Sequence, residues 1–244
     1  IEGLLAIYGL SSIEIESPGE NWEAESEEER AQLELFSFGP SRKSPPDEAR
    51  PMITFDLVAR SFLAARRARS TEVALSFFRK GRNDFLEKRH IEADYDFYFM
   101  FESLFGCGKT KNYQVKAEFK KASQLRSALE EILSAPQPLA DFRPGPQTLA
   151  EFEGCYCGKT VDEVIDGIVE LRGFLHHYTA ERPGIWHPEG HAPYECHAMF
   201  LVRVAQTIAF KLSRQYIFSD EAVTEYQQMY KGVRELTRIR NDAG

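Results

Sequence analysis

From Ser70 onward, apolar residues recur at every third or fourth position, and no other feature of this chain constrains its fold as strongly. A repeat of about 3.6 residues gives a helix one oily stripe, which must be buried against a neighbour. "STEVALSFFRKGRNDFLEKRH" opens with Ser70 or Thr71 as N-cap, and "IEADYDFYFMFESLF" follows with Phe97, Met100, Phe101 and Leu104 on one stripe. These read as two helices or one long kinked helix. "KAEFKKASQLRSALEEILSA" is amphipathic through Phe119, Leu125, Leu129, Ile132 and Leu133, and "PQP" stops it. "TVDEVIDGIVELRGFLHHYT", "APYECHAMFLVRVAQTIAFKLSRQYIF" and a polar helix from Asp220 complete a helical bundle.

The first quarter has a different pattern. "LLAIYGL", "IEIES" and "LELFSF" alternate apolar with polar residues, and "MITFDLVARSF" is rich in β-branched and aromatic side chains, so all four read as β-like. "ESEEER" and "GPSRKSPPDEARP" between them read as loops. The expected fold class is therefore α+β: a small β-rich N-terminal unit over residues 1–69, then an α-helical bundle over 70–244. At 244 residues and 43% hydrophobic content, the chain can bury two modest cores.

No apolar run reaches the roughly 18–20 residues of a membrane span, and the first 20 residues lack a basic-then-apolar signal. The expectation is a soluble, cytoplasmic protein with no membrane partner. Four cysteines (Cys107, Cys155, Cys157 and Cys196) are too few for a disulfide framework, so reduced thiols are expected. The net charge of −8 argues against wholesale coating of nucleic acid, yet residues 60–126 carry 15 basic and 8 acidic side chains. That local excess allows a polyanion site, and it equally fits a solvated helix surface.

Two motifs invite chemistry. "CGKT" occurs at 107–110 and again at 157–160, but a phosphate-wrapping loop of the G-x-x-x-x-G-K-[ST] type needs a glycine where Ser103 and Glu153 stand. No nucleotide binding by a P-loop is expected; the first copy reads instead as a helix C-terminus, with Gly106 and Gly108 free to take φ > 0 and Lys109 at the negative end of the dipole. Five of the six histidines lie between residues 176 and 197, and His187, His191, Cys196 and His197 are ligand types that zinc takes, with Cys155 and Cys157 as further candidates. Their spacing matches no recognised finger, and no metal or other cofactor is assigned.

The stretch "VELRGFLHHYT", 169–179, is the most informative. Wound at about 100° per residue, the segment puts Val161, Val164, Ile165, Ile168, Leu171 and Leu175 on one face, with Arg172 in the middle of it. A guanidinium there must snorkel, find a carboxylate or face a cleft, because an unpaired buried charge is costly. His176 sits four residues on, beside Arg172; His177 points away unless the helix bends or ends, which Gly173 makes easier. A structural arginine with histidines capping the helix end fits the same pattern.

Arg172, four intervening residues and His177, near the end of a helix within a bundle, resemble the R-x(4-6)-H motif of the HEPN domain family. "IEADYDFYFMFESLFGCGKT" resembles that fold's aromatic-rich early helix, which ends in a glutamate-containing turn, here Glu102; "YECHAMFLVRVAQTIAF" resembles the apolar helix after the motif. "RGFLHH" followed by "WHP" is similar to HEPN-like accessory proteins of methylamine utilisation. The resemblance spans about residues 70–218 and makes the expected bundle HEPN-like.

It implies a metal-independent endoribonuclease, working as a homodimer on RNA in stress or phage defence, with Arg and His of both protomers lining one cleft. Arg172 would clamp the phosphate and stabilise phosphorane charge, and His177 would be the acid/base that leaves a 2′,3′-cyclic phosphate. His176 would be a second acid/base or would orient the first. The basic segment, through Arg66, Arg67, Arg69, Lys109, Lys111, Lys120 and Lys121, would track the RNA backbone. A non-catalytic dimerising or RNA-binding module is the alternative. Family members commonly have Asn, Asp or His directly after the arginine; this chain has Gly173.

Overall fold

The computed structural model describes residues 2–10, 53–134, 154–177 and 186–242, with side chains of the last helix described to Lys231. Nine helices run through the described residues: α1 Glu2–Leu5, α2 Phe55–Ala64, α3 Glu72–Leu86, α4 His90–Phe105, α5 Asn112–Lys121, α6 Ser123–Ser134, α7 Val161–His176, α8 Glu195–Ile217 and α9 Asp220–Asp242. Short 3-10 turns at Ala6–Tyr8, Arg67–Thr71 and Ala192–Tyr194 lead into or out of them.

The β-rich N-terminal unit is not found: no strand occurs among the described residues. "LLAIYGL" forms α1 and its 3-10 extension, and "MITFDLVARSF" enters α2 at Phe55. In α2 the buried side chains are Leu57, Ser61 and Ala64, a helical spacing that β-branched and aromatic neighbours obscured. Val58 and Phe62 of the same helix remain exposed. "IEIES" and "LELFSF" lie outside the described residues. The described fold is a helical bundle.

Helices α3 and α4 form an antiparallel pair joined by a three-residue turn in which Lys88 adopts φ 62. They approach closely at Gly81, where a Cβ would lie 2.9 Å from the Phe97 ring. Two buried carboxylates stitch the pair together: Lys80 of α3 reaches Asp84 at 3.0 Å and Asp96 of α4 at 2.7 Å, and Arg89 also pairs with Asp84. Helix α8 packs against α2, α3, α4 and α6 and is buried along its length from Cys196 to Ile217, so it is the spine of the core. Helix α7 lies across α4, α5 and α6. One hydrophobic cluster runs from Leu4 and Leu57 through Phe78, Phe97, Phe101 and Phe119 to Ile165 and Phe200.

Candidate functional site

Helix α7 is fixed at its start by a capping box. The Thr160 hydroxyl accepts from the Glu163 N–H at 3.3 Å, and the Glu163 carboxylate accepts from the Thr160 N–H at 2.7 Å. Val161, Val164, Ile165, Ile168, Val169 and Leu175 bury its inner face, with Leu171 half-buried beside them. The helix ends at His176; His177 follows as the C-cap at φ −106, ψ 83. Both histidines are exposed, and their rings meet edge to face at 5.1 Å. The helix end expected at these residues is therefore present, and the helix runs unbroken through Gly173.

Arg172 turns toward the bundle. Its guanidinium carbon lies 5.4 Å from the centre of the Tyr98 ring, and its Nε is buried without a hydrogen-bond partner. The arginine makes no hydrogen bond or ion pair among the described residues; the ring face of Tyr98 is its favourable contact. It lines a narrow cavity with Asp94, Tyr95, Tyr98 and Leu201. Asp94 is fully buried, both its oxygens lack a partner, and burial pushes its carboxyl well above the ordinary carboxylate range. Arg172 and Asp94 thus share a cavity without forming an ion pair. The Tyr98 hydroxyl reaches Glu102 at 3.4 Å, and burial followed by the Glu102 charge holds that phenol above its usual pKa.

His177 opens elsewhere. With Asn112, Glu170, Leu171, Gly173 and Phe174 it lines an open groove of about 520 Å³ between α7 and the start of α5. Gly173 lets α5 come close: a Cβ at this position would lie 2.9 Å from the Asn112 Nδ2. Glu170 in the same groove is neutralised by Lys116 at 2.7 Å. The structure therefore brings Arg172, His176 and His177 to one helix end but places Arg172 and His177 in different cavities, with Leu171 in the wall of both. Asn112, Tyr98 and Asp94 were not singled out from sequence. They arrive from helices 60–80 positions away, and only the unexpected glycine after Arg172 hinted that something packs there.

Several of the basic residues already face acids. Arg67 pairs with Glu225 at 2.8 Å, Lys120 with Asp166 at 2.9 Å and Lys121 with Glu118 at 2.9 Å. Arg66 and Arg69 line a separate cleft together with Glu2 and Glu72. Lys109 and Lys111 stand exposed in the segment leading to Asn112.

Both "CGKT" copies close with the same backbone hydrogen bond. The Lys109 and Lys159 N–H groups donate to carbonyls three residues back, at Gly106 and Tyr156, and Gly108 and Gly158 take φ 69 and 77. Gly106 itself is right-handed at φ −77, and Cys107 takes the other positive φ of the first copy. The second copy leads directly into the α7 capping box. Of the histidine cluster, His187 Nδ1 accepts from the Glu189 N–H at 3.2 Å, His191 Nδ1 lies 3.5 Å from Glu92, and His197 Nδ1 shares a 2.7 Å hydrogen bond with the Tyr156 hydroxyl. Cys196 is buried. Among the described residues no three His, Cys, Asp or Glu side chains converge as metal ligands, and no helix is long and apolar enough to cross a membrane.

No family model, curated protein or solved structure matches this chain.

Proposed function

We propose that this chain is a HEPN-like, metal-independent endoribonuclease of the cytoplasm that acts on RNA as a homodimer through Arg172 and His177. The observation that carries this is Arg172: a half-buried guanidinium near the end of α7 with no carboxylate or hydrogen-bond partner among the described residues, in the last turn before the exposed rings of His176 and His177. A planar cation left with only an aromatic face is suited to an oxyanion that arrives with a ligand. His177, exposed on the groove, can take the ribose 2′-OH proton or return one to the leaving oxygen. A second protomer would add its own arginine and histidine, and a role in stress or phage defence rests on the family resemblance.

The separation of Arg172 from His177 by Leu171 favours a second reading, a non-catalytic dimerising or RNA-binding module in which Arg172 is a packing residue on Tyr98. Incubation with mixed-sequence RNA in EDTA, beside Arg172→Ala and His177→Ala, separates the two. The enzyme reading expects 2′,3′-cyclic phosphate ends and rates lower by about a hundredfold or more in each variant. A folded wild-type dimer that leaves RNA intact supports the module.

A further inference from the structure

We propose that the side-chain amide of Asn112 is a ligand-contacting arm of this site, donating a hydrogen bond to a phosphate oxygen of RNA held in the groove that His177 lines. This rests on the RNA-directed reading given above. Asn112 is the first residue of α5, yet its side chain lies against α7, so close that residue 173 can carry no Cβ without displacing the Nδ2. The position directly after Arg172 is therefore filled by an amide from another helix.

That amide is exposed in the wall of the groove and makes no hydrogen bond among the described residues, so its donors are available to a ligand there. Its surroundings suit an anion. Glu170, the one acid in the wall, is paired with Lys116, and Lys111 directly precedes Asn112. The start of α5 adds unsatisfied backbone N–H groups and the positive end of the helix dipole. A neutral amide beside an imidazole can hold a phosphate oxygen without competing for the proton that His177 would carry.

The geometry makes a relocation test available. Beyond Asn112 itself, nothing else lies within 4 Å of a Cβ at position 173. An asparagine there, in a chain whose Asn112 has been trimmed to alanine, places an amide in the vacated space from α7 instead of α5. The probe is a fluorescent, uncleavable 2′-O-methyl oligoribonucleotide of mixed sequence, followed by anisotropy, with thermal unfolding recorded for every variant. Asn112→Ala is expected to weaken binding about tenfold, the scale of a hydrogen bond to a charged group. Asn112→Asp, which preserves shape, should weaken it further. Gly173→Asn alone should also weaken it, because the two amides collide, and the double variant Asn112→Ala/Gly173→Asn should return to within about twofold of wild type.

Wild-type affinity in Asn112→Ala or Asn112→Asp overturns the proposal, as does a double variant no better than Asn112→Ala. Cleavage of unmodified RNA is scored separately. Binding that depends on Asn112 without cleavage removes the enzyme and keeps this contact. Cleavage and binding that both ignore Asn112 do the reverse, and a wild-type protein that does not bind the probe overturns both.

Discussion

Replacing each of the two glycines inside α7 by alanine separates the backbone effect of a helical glycine from the packing around it. Gly167 and Gly173 both lie within Val161–His176 and both have ordinary helical φ, so each carries the same intrinsic penalty against alanine, about 1 kcal/mol. At Gly167 a Cβ meets nothing within 4 Å, so the whole gain should be realised. At Gly173 the new Cβ lies 2.9 Å from the Asn112 Nδ2, nearer than real Cβ atoms come to a neighbour. Asn112 must swing aside, and because its amide is the exposed end of a flexible side chain this costs only a part of the gain. Gly173→Ala therefore gains less than Gly167→Ala. Gly167→Ala should raise the urea-unfolding free energy by about 1 kcal/mol and the thermal midpoint by roughly 2–4 °C, with Gly173→Ala between that value and wild type. Adding Asn112→Ala to Gly173→Ala removes the obstruction and should recover most of the Gly167→Ala gain. Equal stabilisation by the two single substitutions would refute the packing of Asn112 on α7, and a neutral Gly167→Ala would show that this face of the helix is covered.

Further outcomes can be checked by unfolding. Thr160→Ala removes the hydroxyl half of the capping box and should destabilise by about 1 kcal/mol, whereas Thr160→Ser should restore most of that; equal losses for both would implicate the methyl group instead. Tyr156→Phe deletes the 2.7 Å hydrogen bond to His197 and keeps the parallel stack on Phe200 at 3.9 Å, so a loss of about 1 kcal/mol is expected in thermal unfolding. Burial, only partly offset by Lys80, raises the Asp96 carboxyl from 3.8 to about 6. The folded protein therefore holds a proton that the unfolded chain has already released. The resulting stabilisation is complete below about pH 4 and is lost as pH rises through about 6. Asp96→Asn should lack this loss, so wild type minus variant in unfolding free energy should fall between pH 4 and 7; a flat difference would sink the assignment.

What could be read from the chain depended on whether the signal was local. The stripe Phe97, Met100, Phe101, Leu104 of α4 and the face Val161, Val164, Ile165, Ile168, Leu171, Leu175 of α7 are each set by spacing within one helix, and all are buried except Leu104 and Leu171, which are half-buried. The break between α3 and α4 was legible only as a choice between one helix and two, and the positive φ at Lys88 decides it. The error in the N-terminal quarter came from composition. Phe55–Ala64 contains the residue types of a strand, while its burial at Leu57, Ser61 and Ala64 follows a helix, with a small serine in the core where an alternating pattern would have demanded an apolar side chain. At the site, Arg172 and the helix end at His176 follow from local pattern. The ring of Tyr98 beneath the guanidinium and the amide of Asn112 over Gly173 depend on contacts between helices, which no spacing rule carries.

The ion pairs along α5 and α7 bear on how a polyanion would be felt by this protein. Binding to nucleic acid draws much of its strength from the release of condensed counterions as lysine and arginine replace them at the phosphates. Lys116, Lys120 and Arg126 each already face a carboxylate of α7, at Glu170, Asp166 and Asp162. A phosphate approaching any of them exchanges one anion for another and leaves a displaced carboxylate to be rehydrated or to recruit a cation of its own. The affinity of such a surface changes little when sodium chloride is raised, and the steep salt dependence of a basic nucleic-acid groove is replaced by dependence on cations outside these pairs, Lys111 at the start of α5 and Arg172 on α7 among them.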